Sequence, residues 1–225
     1  MLPSKDKWAL FDFCETLVNF QTADAFVDFV CRNSPRPFIT VAGLALRILN
    51  KMKFLSLLDR IYGSELYLLK RYKLWLLKGY TMKEIEDCSL LYYETRIKPN
   101  LISATVNLLK ELKNNGYKIL IVSGGYSVYI KHFANQFGVD GIIANEIKFN
   151  HGICLGSLDG VNCMNNNKTI LLNSFFQTRP DYSVAYSDSI TDVPFLSWAD
   201  KGVVVSKNNH QKWSEDNGFS EIIWS

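Results

Sequence analysis

Apolar residues in this chain gather in short, nearly unbroken runs, separated by longer stretches with helical spacing. The runs at 8–13, 118–122, 141–144, 183–186 and 202–205 read as strands. A run without polar alternation is what a strand covered on both faces requires. Between the runs, residues 103–114, 127–137 and 169–177 read as helices, the first two stopped by Gly116 and Gly138. Segments 146–149 and 153–156 flank Asn150-His151-Gly152 and predict a β-hairpin. Strand and helix in alternation predict an α/β fold, a doubly wound, Rossmann-like parallel sheet with helices on both faces.

Residues 22–96 break that alternation. Helical spacing recurs at 22–32, 39–53, 64–78 and 81–96, with no strand pattern between. Thr81 and Glu84 have the spacing of a capping box, which satisfies backbone donors at the start of the last of these helices. The chain is therefore expected to divide into a core of residues 1–20 and 97–225 and an inserted all-helical module of residues 21–96.

Composition narrows the class. With 225 residues, 48% of them hydrophobic, the chain can bury a substantial core. Charges in the first seven residues stand where a signal peptide would need an apolar stretch. The longest run without Lys, Arg, Asp or Glu is 119–130, short of the ~20 residues of a membrane span. Cysteines 14, 31, 88, 154 and 163 are odd in number and lack Cys-x-x-Cys spacing, so they read as reduced thiols of a cytoplasmic protein. The histidines 132, 151 and 210 show no ligand spacing.

Charge is uneven. Residues 35–80 hold nine Lys or Arg against Asp59 and Glu65, a net of +7, whereas the whole chain carries +3. Interleaved aromatics make two readings available. The basic side chains snorkel over an apolar core, or the module attracts an anionic substrate or rests peripherally on an acidic membrane surface. No nucleic-acid motif accompanies the charge, so no nucleic-acid partner is expected. The pattern specifies no oligomeric state.

Candidate chemistry sits at strand ends, where open α/β sheets build their sites. The first run ends in Asp12-Phe13-Cys14-Glu15-Thr16-Leu17, a later one in Ser123-Gly124-Gly125, and a third in Ser187-Asp188-Ser189-Ile190-Thr191-Asp192; Lys168 opens a helical stretch. In this order the four segments resemble the motifs of the haloacid dehalogenase superfamily, and their spacing resembles its phosphoserine-phosphatase-like branch with a helical cap. Three positions depart from the family pattern. Glu15 and Ser187 each replace a Gly, and Cys14 replaces the second Asp, the usual general acid and base.

That resemblance implies a Mg²⁺-dependent phosphohydrolase acting on a small anionic phosphorylated substrate. Asp12 would be the nucleophile and form an aspartyl-phosphate. Lys168, Ser123 and the backbone at Gly124 would hold the phosphoryl oxygens. Asp12, Asp188 and the carbonyl of Cys14 would bind the metal, with Asp192 as a further or supporting ligand. A thiol at position 14 leaves the acid–base role open between Cys14, an inert neighbour or a weak acid, Glu15 and a side chain of the cap. It also leaves open a phosphate-ligand-binding module without turnover, or phosphonate or lipid-linked phosphate chemistry on the same fold.

Overall fold

A computed structural model of the chain describes residues 6–34 and 73–225. Seven strands form one sheet: β1 (Lys7–Phe11), β2 (Lys118–Tyr126), β3 (Gly141–Asn150), β4 (Ile153–Asp159), β5 (Tyr182–Ser187), β6 (Lys201–Lys207) and β7 (Ser220–Trp224). Their order is β4-β3-β2-β1-β5-β6-β7, parallel except for β4, which pairs antiparallel with β3. The chain winds outward from β1 in both directions, so the topological switch lies beside β1. This is the predicted α/β core.

Apolar runs become strands buried on both faces. Ala9, Phe11, Ile119, Ile121, Val184 and Tyr186 face one core, while Trp8, Leu10, Leu120, Val122 and Ala185 face the other. The first core is closed by α1 (Thr22–Asn33), α2 (Met82–Tyr92), α3 (Ser103–Asn114) and α4 (Ser127–Phe137). The second is covered by α5 (Asn167–Phe175), α6 (Val193–Trp198) and α7 (Lys212–Asp216). Gly138 ends α4 at φ 63°, the left-handed turn that favours glycine.

Several boundaries differ from the sequence reading. The predicted separate segments at 141–144 and 146–149 are one strand, β3, because Asn145 passes through the sheet on side-chain hydrogen bonds rather than breaking it. Strand β2 runs on through Ser123, Gly124 and Gly125 to Tyr126. Helices α6 and α7 and strand β7 have too few residues to impose a period and were not predicted. The predicted helix at 81–96 divides into α2, a π-turn at Tyr93–Ile97 and a 3₁₀ turn at Lys98–Asn100. Its capping box is present, with Glu84 N donating to Thr81 Oγ1 and Thr81 N donating to Glu84 Oε2.

The predicted helix at 39–53 and most of that at 64–78 lie outside the described residues, as does the basic stretch apart from Lys73 and Lys78. Where the chain resumes, residues 79–82 lie along the free edge of β4. Gly79 N donates to Cys154 O at 2.9 Å, Cys154 N to Tyr80 O at 2.8 Å and Met82 N to Gly152 O at 2.8 Å. The approach is close enough that a Cβ on Gly156 would stand 2.9 Å from the Trp75 Cα. Among the described residues, no helix is long and apolar enough to cross a membrane.

Candidate active site

The C-terminal ends of β2, β1 and β5, neighbours at the sheet centre, open on a cleft of about 330 Å³. Asp12 is the first residue beyond β1, and its N–H donates to Tyr186 O at 2.9 Å, which fixes it against β5. Ser123 and Gly124 reach the same cleft from β2, Asp188 from the end of β5, and Lys168 from the first turn of α5. The structure thus brings together Asp12, Ser123, Gly124, Lys168, Asp188, Asp192 and Cys14 from segments up to 180 positions apart.

Lys168 is the electrostatic centre. It is buried, and its Nζ donates to Asp12 Oδ1 at 2.9 Å and to Asp192 Oδ2 at 2.6 Å. Burial would lower the pKa of this ammonium, but the carboxylates of Asp12 and Asp192 outweigh it and hold the pKa above the ordinary lysine value. Asp192 Oδ2 also accepts from the Ser187 hydroxyl at 2.6 Å. The Ser at the family's Gly position therefore fixes Asp192 toward Lys168.

Asp188 is held differently. Its Oδ1 accepts from the Thr16 hydroxyl at 3.1 Å, and its N–H donates back to Thr16 Oγ1 at 3.1 Å. Burial, then the negative charges of Asp12 and Glu15, raise its pKa to about 8. Burial likewise raises Asp12, against the pull of Lys168. The Asp12 charge disfavours ionisation of Asp188, and the two carboxylates form an all-oxygen donor pair, the kind of site a hard cation relieves. Mg²⁺ fits that chemistry. Asp192 is engaged by Lys168 and Ser187, and among the described residues no group of three His, Cys, Asp or Glu side chains is arranged as a metal cage.

The sign of the resulting pH dependence follows. A carboxyl whose folded pKa lies above its unfolded value of 3.8 stabilises the fold when protonated. Asp188 gives that contribution fully below about pH 4 and loses it as pH rises through about 8. Asp188→Asn should therefore flatten the fall in melting temperature of the metal-free protein between pH 5 and 9. It should also remove most of the stabilisation that added Mg²⁺ gives at pH 8. Thermal melts with and without Mg²⁺ test both; an unchanged pH slope and undiminished Mg²⁺ effect would sink the assignment.

Cys14 lies 8% exposed on the cleft wall, with Sγ 3.0 Å from Thr22 Oγ1. Thr22 Oγ1 is in turn 2.7 Å from the Tyr129 hydroxyl, which accepts from Tyr126 N at 3.0 Å. Burial keeps Tyr129 protonated well beyond the usual tyrosine range. This chain of hydroxyls contains no base. Glu15 adopts φ 56°, in the left-handed region natural to the Gly of the family pattern, and its exposed carboxylate accepts from Gln21 Nε2. It does not line the cleft.

Sequence reasoning missed two supporting residues. Thr16 orients Asp188, as above. Asn145, 1% exposed, donates from Nδ2 to Gly124 O at 2.8 Å and accepts at Oδ1 from Cys163 N at 2.8 Å, so one side chain fixes both the β2 turn and the loop leading to Lys168. Its only signal was a lone amide inside an apolar run. Asn145→Ala would remove both of these buried hydrogen bonds, costing about 1–3 kcal/mol and lowering the melting temperature by roughly 2–12 °C. Calorimetry decides it, and an unchanged melting temperature would show the amide dispensable.

Known proteins resemble this chain in sequence and in fold. The family model described as haloacid dehalogenase-like hydrolase matches residues 9–197. Protein CicA of Caulobacter vibrioides is 29% identical over 126 residues, 56% of this chain and 57% of that protein, so the match spans little more than half of that relative. A phosphoserine phosphatase of Methanocaldococcus jannaschii is 27% identical over 201 residues, 88% of this chain and 84% of that enzyme. A crystal structure of a Bordetella pertussis protein shares the fold, with a TM-score of 0.80 at 20% identity, covering 97% of this chain and 99% of that one.

Proposed function

The chain belongs to the haloacid dehalogenase-like hydrolase family, and we propose on that footing that it is a Mg²⁺-dependent phosphohydrolase working through an aspartyl-phosphate on Asp12. One observation carries this reading. A buried lysine is ion-paired to the strand-end carboxylate in a cleft that also presents Ser123, Gly124 and Asp188.

In the first half-reaction an Asp12 oxygen bonds to phosphorus and the bond to the leaving oxygen breaks. Lys168, the Ser123 hydroxyl and the backbone at Gly124 stabilise the charge spread over the phosphoryl oxygens. Asp192 and Ser187 hold Lys168 in place for this. Asp12, Asp188 and the carbonyl of Cys14 would hold Mg²⁺, which when bound would offset repulsion between the carboxylate and the phosphoryl group. Water then releases phosphate and restores Asp12. Residues 21–96 would be the cap over this cleft and 1–20 with 97–225 the core. The substrate would be a small phosphorylated molecule, and phosphoserine is the first to test because named relatives are phosphoserine phosphatases.

A second reading, a phosphate-ligand-binding module without turnover, is favoured by Cys14, which puts a thiol bonded to Thr22 where the family pattern has a carboxylate. Released phosphate from a panel of phosphomonoesters, anhydrides and phosphonates with Mg²⁺ separates the two. Phosphate binding with no release from any of them would leave the binding module.

A further inference from the structure

The carboxylate missing at position 14 leaves the water of the second half-reaction without an obvious base. Of the side chains lining the cleft, Lys168 is a bound cation, Asp192 is tied to Lys168 and Ser187, and Asp12 and Asp188 have roles of their own. Cys14 is joined to Thr22 and through it to Tyr129, and the Glu15 carboxylate is held by Gln21. One further carboxylate remains among the described lining residues. Asp24, in the first turn of α1, is half-exposed on the cleft wall and ion-paired to Lys73 Nζ at 2.8 Å.

We propose that Asp24 is the general base for hydrolysis of the aspartyl-phosphate, supplying from α1 the carboxylate that the loop after β1 lacks. The inference rests on the phosphohydrolase reading. Asp24 lines the same cleft of about 330 Å³ as Asp12, Lys168 and Asp188, and general-base action requires a water held in it to join the Asp24 carboxylate to the reacting centre. Its Oδ2 faces Lys73 Nζ at 2.8 Å, which anchors the side chain on the cleft wall. As the water oxygen bonds to phosphorus, the bond from phosphorus to the Asp12 oxygen breaks and its electron pair returns to Asp12. One water proton passes to Asp24, and Asp24 gives it to solvent as phosphate leaves. With no carboxyl at position 14 to protonate the leaving oxygen of the first half-reaction, substrates with stable leaving anions should be favoured.

Rapid quench with ³²P-labelled 4-nitrophenyl phosphate and Mg²⁺ tests this. Asp24→Asn should release the first equivalent of nitrophenolate at the wild-type rate. It should then turn over about 10²-fold more slowly, with label accumulating on Asp12. Lys73→Met, which removes the ion pair and keeps the carboxylate, should dephosphorylate at close to the wild-type rate. The proposal is overturned if Asp24→Asn loses first and later turnovers equally, if its label decays at the wild-type rate, or if Lys73→Met reproduces its defect. Absence of label on Asp12 in every variant, with wild-type turnover intact, would instead overturn the phosphohydrolase mechanism itself.

Discussion

Asp12→Asn should release no phosphate from any ester while keeping its fold. An amide nitrogen or oxygen cannot replace the carboxylate that bonds to phosphorus, so the loss should reach the background of the assay. Stability should behave in the opposite way. Burial holds Asp12 at a raised pKa, so its ionised form is a cost to the fold at neutral pH despite Lys168. A neutral Asn removes that cost and leaves Lys168 paired with Asp192 at 2.6 Å. The melting temperature at pH 7.5 should therefore hold or rise. Wild-type turnover in the Asn variant, purified free of other phosphatases, would rule out Asp12 as the nucleophile.

Lys168→Met should damage both activity and stability. The methionine fills much of the space but leaves Asp12 and Asp192 as buried carboxylates with their shared cation gone. Breaking a buried pair in this way costs about 3–5 kcal/mol, or roughly 6–20 °C in melting temperature for a chain of this size. Phosphate release should fall by about 10²–10³-fold, the scale of one lost donor to a developing anion. The deficit has a direction in pH. Burial already raises the Asp12 pKa, and protonating it removes its charge, so the gap between variant and wild type should narrow as pH falls from 8 to 5. A gap that stays constant would mean that packing, not charge, holds Lys168.

The parts of the site that were legible in the sequence are those a short segment can encode. Asp12, Ser123 and Asp188 were readable because each follows an apolar run, and a polar residue there must stand on the rim of the sheet. Lys168 became readable only through its order among the other segments, since one lysine at a helix start is otherwise an ordinary surface residue. Asp24 carried no such signal, because an acid in the first turn of a helix already has a reason to be there in the helix dipole. The partners of Cys14 were equally hidden. Tyr129 meets Thr22 across 107 positions, a contact set by how α1 and α4 pack rather than by either local pattern. Helix α6 and strand β7 escaped notice because five or six residues are too few to show a period.

Residues 79–82 have a consequence for any attempt to reduce the protein to its core. By pairing with β4 they occupy hydrogen-bonding groups that would otherwise form an open sheet border. An unoccupied border of this kind recruits strands from other molecules. Excising residues 21–96 would bare that border and uncover the apolar surface beneath Leu74, Leu77 and Tyr80. The product should self-associate through strand addition rather than behave as a minimal hydrolase. Residues 79–82 would thus also guard solubility.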